Sequence, residues 1–430
     1  MPQRNFVTGV TGFVGSHLAY RLLEDGHPVV ALARGGKNAS ARDRVIEVLG
    51  EVAGSEDRLR PHLDRLEVLE GDISKPFLGL DEDSFRRAAS MTDEVWHCAA
   101  SLSFTDEERD EIFQMNVGGT QKILDLVQQT RSRRLHHVST AYVAGTKEFA
   151  KESEIQTGQK FRNAYEASKC EAELIVADAH ARKILTSTIY RPSIVIGDSV
   201  TGRATHFHGV YAFIRGLFTG ATRLRRKAGS NGHVHLPVRV LGKMTTTLNF
   251  VPIDYVVNGM VKIGGQPASA GGTYHLANPI PTPNDLWLPN ICRLLGVTGV
   301  ELVDENAFAV HPPTRMEASF QKQMAFYYMY LQGEPLFDCS HTLQALEGTD
   351  IACPRVTVEF IEKIVGWYVE YLKAGVRDLQ VKRISNCKVL HWRFEIGKRK
   401  LDRSLWDTES NLRSPISNLQ CRTFRFQNFS

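Results

Sequence analysis

Residues Thr8-Gly9-Val10-Thr11-Gly12-Phe13-Val14-Gly15 separate a short β-prone run, Asn5 to Val7, from an apolar-periodic stretch, Ser16 to Asp25, that reads as a helix. Gly9 permits the tight turn, Gly12 leaves the backbone bare, and Gly15 lets the helix press on the strand. The unpaired N–H groups and the positive end of the helix dipole then face outward together, as binding a phosphate requires. The spacing G-x-x-G-x-x-G is one residue longer than the common dinucleotide fingerprint, and the strand–turn–helix context supplies what the spacing alone does not. Thr8, Thr11, Phe13 and Val14 are expected to complete this cradle.

The chain beyond it keeps alternating. His27 to Ala33 is a β-rich run ending in Arg34, about 20 residues past the glycine loop, where an acid usually meets the adenosine ribose. Arg34, backed by Arg42 and Arg44, suits a 2′-phosphate instead, so NADPH is the expected cofactor. A helix from Ala41 to Glu51 precedes a strand, Leu66 to Leu69, whose end carries Asp72, placed to accept from an adenine amino group, and Ile73. A strand from Val95 to Ala100 ends in small residues, and Ala99, Ala100 and Ser101 leave room for a cofactor. Glu111 to Gln129 has helical spacing interrupted at Gly118-Gly119, with Asn116 inside it. Leu135 to Val138 delivers Ser139 and Thr140, and a helix from Ala164 to Ala181 carries Tyr165 and Lys169 four apart, on one face. Thr186 to Ile196 is a strand broken at Arg191-Pro192, with Pro192, Ser193 and Val195 expected beside the cofactor. This alternation predicts an α/β fold: a Rossmann-type, doubly wound parallel sheet with a smaller C-terminal substrate-binding lobe.

Charge and cysteine usage narrow the class. Seven scattered cysteines with no C-x-x-C pair argue against a disulfide framework and against a zinc site, and no metal is expected. No run approaches the length of a membrane span and the N-terminus is not a signal peptide, so a cytoplasmic protein is expected. Ser199 to Ile253 contains no Asp or Glu but eight Lys/Arg and four His, a field suited to a polyanionic ligand. Val381 to Ser430 carries 11 Lys/Arg against 4 Asp/Glu with interleaved aromatics, which leaves contact with a membrane surface open; no nucleic-acid partner is expected.

The chemistry follows from four residues. Reducing a carbonyl needs a hydride source, a proton donor to the developing alkoxide, and a means of tuning that donor. Tyr165 is the candidate donor, and the Lys169 ammonium one helical turn away is expected to lower its pKa. Thr140 would stabilise the oxyanion, and Asn116 would hold a water or backbone link in the proton path.

These residues resemble an extended short-chain dehydrogenase/reductase: T-G-x-T-G-F-V-G at 8–15, H-x-A-A at 97–100, N-V-x-G-T at 116–120, S-T-A-Y-V at 139–143, Y-x-x-x-K at 165–169 and R-P-S-I-V at 191–195. More narrowly, G-D-I-S-K-P-F-L-G-L at 71–80, W-H-C-A-A-S-L-S-F at 96–104, H-V-S-T-A-Y-V-A-G at 137–145 and V-P-I-D-Y-V-V at 251–257 resemble the fatty acyl-CoA reductase and thioester reductase branch. That resemblance covers roughly residues 5–375 and implies hydride transfer to an acyl thioester on CoA or a carrier's phosphopantetheine, giving a hemithioacetal that loses thiol to become an aldehyde, reduced further in some members to the alcohol. It implies the same roles for Asn116, Thr140, Tyr165 and Lys169.

Arg223, Arg225, Arg226 and Lys227 are the candidates for the carrier's phosphates, and Phe207, Tyr211, Phe213 and Phe218 could wall an acyl channel. His206 and His208 lack partners spaced to complete a metal site. Because the glycine loop begins at the start of the sequence, the acyl group is expected to arrive from a separate partner. The domain reading is a cofactor domain over 1–275 with an inserted segment 199–250, a mostly helical lobe over 276–376, and a basic tail over 377–430. A secondary-alcohol or ketone dehydrogenase of the steroid or dihydroflavonol kind would use the same four residues, and a cofactor-sensing protein would keep the fold without turnover.

Overall fold

The computed structural model describes residues 2–104, 106–229, 232–324 and 328–374. The basic aromatic tail from 381 onward lies outside the described residues. All that follows belongs to the unit ending at Leu372.

Seven strands form the central sheet: β1 (Asn5–Thr8), β2 (Val29–Ala33), β3 (Leu66–Glu70), β4 (Glu94–His97), β5 (Arg134–Val138), β6 (Thr186–Pro192) and β7 (Thr273–Leu276). Their spatial order is β7-β6-β5-β4-β1-β2-β3, and every neighbouring pair is parallel. The order reverses between β1 and β4, and such a reversal opens a crevice at the carboxyl ends of the strands. The glycine loop leaves β1 at that point.

Strand periodicity decides what each face buries. Val7, Val29 and Ala31 point to one side, where Leu18, Leu22 and Leu23 of helix α1 (Phe13–Glu24) pack with Val45, Leu49, Val256 and Met260. Phe6, Val30 and Leu32 point to the other, against Ile123, Leu126 and Val176. Both faces being covered explains why these strands read as continuous apolar runs.

Two elements differ from the sequence reading. The strand expected over Val95 to Ala100 ends at His97, and residues 98–104 run irregularly along the crevice. The Glu111–Gln129 helix is not interrupted at its glycines; a π-helical turn, Gln114–Gly118, joins Arg109–Phe113 to Gly119–Val127. The widened turn buries Asn116, and Gly119 is bare because a Cβ there would meet Ile73 Cδ1 at 2.9 Å.

A third core lies beyond the ends of β5 and β6. The helix Val210–Ala228 contributes Phe213, Ile214 and Leu217, and the parallel strands Val234–Leu241 and Val297–Val303 contribute Leu236, Val238 and Val297. Trp287 and Leu288 of the helix Asn284–Leu295, and Phe360 and Ile364 of a helix that begins at 358, close it. A short parallel pairing of Leu336–Phe337 with Phe149–Ala150 ties this layer to the β5 side of the crevice. Among the described residues no helix is long and apolar enough to cross a membrane.

Candidate active site

A cleft of about 550 Å³ runs along the crevice from the glycine loop to the third core. At one end the loop is sterically forced. Gly9 has φ +72°, and a Cβ there would lie 2.7 Å from Ala99 N; a Cβ on Gly15 would lie 2.2 Å from the Gly9 carbonyl oxygen. Helix α1 begins at Phe13 with Gly12 as its N-cap, without a capping side chain and without an acid in its first turn. Its N-terminal donors therefore meet the cleft unneutralised, beside Thr11, Phe13 and Val14. Thr8 supports the loop from behind, paired with His97 Nδ1 at 2.8 Å and accepting from Ala99 N at 3.2 Å.

The strand ends supply the rest of this half. Arg34 follows β2 and lines the cleft, as do Asp72 and Ile73 after β3. Asp72 accepts from Ser74 N and Oγ at 2.9 and 2.8 Å; these bonds and the Arg34 charge outweigh its partial burial and hold its pKa below the usual value. Arg44 does not line the cleft: its guanidinium donates to the Arg34 carbonyl at 2.5 Å and braces the loop instead. Ala99, Ala100 and Ser101 line the floor, and Pro192, Ser193 and Val195 the opposite wall. A bare loop under an uncapped helix end, with a cation after β2 and an acceptor after β3, fits a dinucleotide whose phosphates rest on α1.

Thr140, Tyr165 and Lys169, the candidate reactive groups, line the middle of the cleft. Tyr165 hydrogen-bonds Thr140 and packs edge-on against Phe104 at 5.2 Å. The expectation that Lys169 lowers the Tyr165 pKa does not hold here. Burial dominates and pushes the phenol up to about 12, the Thr140 bond only partly offsetting it. The Lys169 ammonium turns instead to the Val138 carbonyl at 2.8 Å, and its own burial lowers it to about 8. Two devices fix the helix that carries both residues. Asn163 caps it by accepting from Glu166 N at 2.9 Å, and the buried Arg191 of β6 grips Glu173.

Asn116 stands at a structural junction. Its Oδ1 accepts from Ser101 N at 2.7 Å and its Nδ2 donates to Ser168 Oγ at 2.9 Å, so it ties the cleft floor to the Tyr165 helix.

The far end of the cleft is aromatic, and only part of it leaves a mark in the sequence. Tyr142 and Tyr330 line it, ring to ring at 4.7 Å and steeply inclined. Tyr330 Oη donates to Glu166 Oε1 at 2.9 Å, and Tyr142 Oη donates to Glu334 Oε2 at 2.6 Å. Burial pushes the Glu334 carboxyl up to about 8, and its Oε1 has no partner. Tyr142 is within reach of sequence reasoning, sitting in Ser139-Thr140-Ala141-Tyr142-Val143; Tyr330 and Glu334 arrive from almost 200 residues away and leave no local signal.

The substrate contacts expected from the sequence need correction. Arg223, Arg225 and Arg226 belong to the distal part of a 19-residue helix whose opposite end abuts the cleft at Gly209. That separation is roughly 20 Å along the axis. Arg225 instead donates to the Leu295 and Gly232 carbonyls at 2.7 and 2.9 Å, and the last-turn cations complement the helix dipole. Tyr211 is a core residue, 1 % exposed, whose Oη accepts from Gly197 N at 2.7 Å. Phe207 stacks on Tyr368 outside the cleft lining. His206 and His208 do line it, and no group of side chains among the described residues is placed to hold a metal.

The fold and this constellation define an NAD(P)-dependent reductase of the short-chain dehydrogenase/reductase type, in the branch that contains thioester reductases. A family model described as "Male sterility protein", an NAD-binding family, matches residues 7–260, and the chain belongs to that family. It is similar to the terminal R domain from the myxalamid PKS-NRPS biosynthetic pathway, with 26 % identity and a TM-score of 0.70 over 86 % of this chain and 91 % of that one. A thiolation-reductase di-domain from an archaeal non-ribosomal peptide synthetase shares the fold at 20 % identity, with a TM-score of 0.65 over 86 % of this chain and 76 % of that one.

Curated relatives are much longer. A nonribosomal peptide synthetase of Aspergillus flavus is 26 % identical over 64 % of this chain and 26 % of its own length. An isonitrile lipopeptide synthase of Mycobacterium tuberculosis is 27 % identical over 64 % of this chain and 11 % of its own length. The match thus spans about a quarter or less of either relative.

Proposed function

We propose that this chain is an NADPH-dependent reductase of an acyl thioester, borne on CoA or on a carrier's phosphopantetheine, and that it releases the acyl group as an aldehyde. The observation that carries this reading is the convergence of Thr140, Tyr165 and Lys169 on one cleft whose other end is the glycine cradle. Likeness to a terminal R domain and to a thiolation-reductase di-domain supports the thioester as the substrate class. Arg34 in the lining supports the 2′-phosphorylated cofactor. Residues 1–275 would form the cofactor domain and 276–376 the substrate lobe.

When bound, NADPH supplies a hydride to the thioester carbonyl carbon. Thr140 and Tyr165 donate to the carbonyl oxygen as its charge grows, and a phenol kept protonated by burial is suited to surrender its proton at that moment. Lys169 donates to the Val138 carbonyl at 2.8 Å and so ties the donor's helix to the strand end that delivers Thr140. Asn116 holds Ser101 and the helix that carries the donor in place. The resulting hemithioacetal breaks its C–S bond, giving aldehyde and thiol.

Consumption of reduced cofactor with a panel of acyl-CoAs, matching aldehydes and cyclic ketones tests this reading, with Tyr165→Phe as the blank. Turnover of thioesters that vanishes in the variant upholds it, and turnover of aldehydes establishes alcohol as the end product. Turnover of ketones alone makes the chain a ketone reductase instead.

A further inference from the structure

Behind the cleft, the sheet face that meets the Tyr165 helix carries a row of polar side chains. Val95, Leu135 and Ile189 turn to that face and share a core with Val176 of the helix Ala164–Ala181. Strand alternation brings His97, His137 and Arg191, each two residues on, to the same side, and the grip of Arg191 on Glu173 shows that the helix lies over them. His97 and His137 are lateral partners on β4 and β5, with ring centroids 5.4 Å apart. The Ser139 N–H bonds the Tyr190 carbonyl at 2.7 Å, so the alternation continues and the Ser139 side chain follows His137 toward the helix.

The two imidazoles differ in one respect. His97 has both nitrogens engaged, Nδ1 with Thr8 Oγ1 at 2.8 Å and Nε2 with Thr120 Oγ1 at 3.2 Å. His137 is 0 % exposed, and among the described residues neither of its ring nitrogens has a partner. The Ser139 hydroxyl, which lines the cleft, is equally orphaned. Lys169 stands beside both, because its ammonium donates at 2.8 Å to the carbonyl of Val138, the residue they flank. That bond uses one of its three donors. Buried polar groups left unpaired cost stability, and a buried water with two to four polar partners is the usual way they are satisfied.

We propose that His137, Ser139 and Lys169 enclose a bound water, and that His137 acts through it as a positioning residue for the Lys169 ammonium at the cleft wall. The ammonium donates to the water oxygen, the water donates to a His137 ring nitrogen, and Ser139 Oγ is the third partner. The inference rests on Lys169 serving the site as a cation. Burial, then the Lys169 charge and His97, hold the His137 pKa well below its ordinary value, so the ring is neutral and one nitrogen is free to accept. The titratable groups facing this pair are His97 and Cys98 at the end of β4, with Tyr165 and the Arg191-paired Glu173 on the helix itself.

The test reads the charge of Lys169 without turnover, as the pH midpoint of its acetylation by acetic anhydride, followed by peptide mass spectrometry on the full chain. Wild type, His137→Phe, His137→Gln and His136→Phe are compared. Removing the acceptor withdraws support from the ammonium, so His137→Phe should lower the midpoint by about one unit, a roughly tenfold shift in the protonation equilibrium. His137→Gln keeps an acceptor and should restore most of it. His136, one residue away, turns to the other face and bonds Tyr190 Oη at 3.0 Å and Glu94 Oε2 at 3.1 Å, so His136→Phe should leave the midpoint in place. An unmoved midpoint in His137→Phe, or an equal shift in His137→Gln, overturns the proposal. A crystal structure of the wild type needs no variant to fold: an ordered water within about 3.2 Å of a His137 ring nitrogen and of Lys169 Nζ is expected, and a dry site overturns the proposal. Failure of thioester reduction with the water and the midpoint shift both present would count against the reaction and not against this site.

Discussion

Glu334→Gln should make the protein's stability less sensitive to pH by an amount the structure sets. The Glu334 carboxyl, in contact with Tyr142 and with one oxygen unpartnered, is raised from 4.5 to about 8 in the folded chain. Between those values the native state holds a proton that the unfolded chain has released, so stability falls as pH rises. The contribution is fully present below about pH 4.5 and lost by about pH 8, at about 1.4 kcal/mol per unit. Between pH 5.5 and 7.5 the wild type should therefore lose about 2 to 3 kcal/mol from this group alone. Glutamine keeps an acceptor for Tyr142 and cannot ionise. Urea unfolding of both proteins at both pH values isolates the effect as a difference of differences, since every other titrating group is shared. Parallel pH dependences in the two proteins would refute the claim that Glu334 is held protonated.

Other perturbations address the cleft directly. Tyr165→Phe should lower kcat by roughly 10² to 10⁴ while leaving NADPH binding, read by fluorescence, unchanged; a comparable loss of cofactor affinity would assign Tyr165 a binding role. Lys169, lowered to about 8, should lose its charge as pH rises through that value, so kcat/KM should fall above about pH 8, and a flat profile to pH 9.5 would remove it from the mechanism. Arg34→Ala should cut the preference for NADPH over NADH by roughly tenfold or more, read as the ratio of the two dissociation constants. Gly15→Ala, whose Cβ would lie 2.2 Å from the Gly9 carbonyl oxygen, should abolish cofactor binding before it abolishes folding, with circular dichroism as the control.

Much of the cofactor half is legible in the sequence because its constraints are local. Gly15 is demanded by the Gly9 carbonyl six residues before it and Gly9 by its own turn at φ +72°, and strands buried on both faces announce themselves as apolar runs. The Tyr165–Lys169 pair is legible for the same reason, since one helical turn fixes it. Its electrostatics are not: desolvation sets both values, and desolvation is a property of everything packed around a side chain. The basic run Arg223–Lys227 misleads because clustering in sequence does not bring about clustering at the cleft when a 19-residue helix carries its two ends far apart.

The sequence by itself determined the parallel sheet, the glycine turn after β1 and the placing of Tyr165 and Lys169 on one helix face, all of which follow from periodicities and turns spanning fewer than about 20 residues. Tertiary structure alone decided what surrounds them. Tyr330 and Glu334 reach Glu166 and Tyr142 only because a late segment folds back against β5's end, and Arg225 turns to the Leu295 carbonyl away from the cleft. Local patterns encode backbone geometry, but substrate walls are built from residues remote in sequence whose proximity is fixed by packing of whole layers.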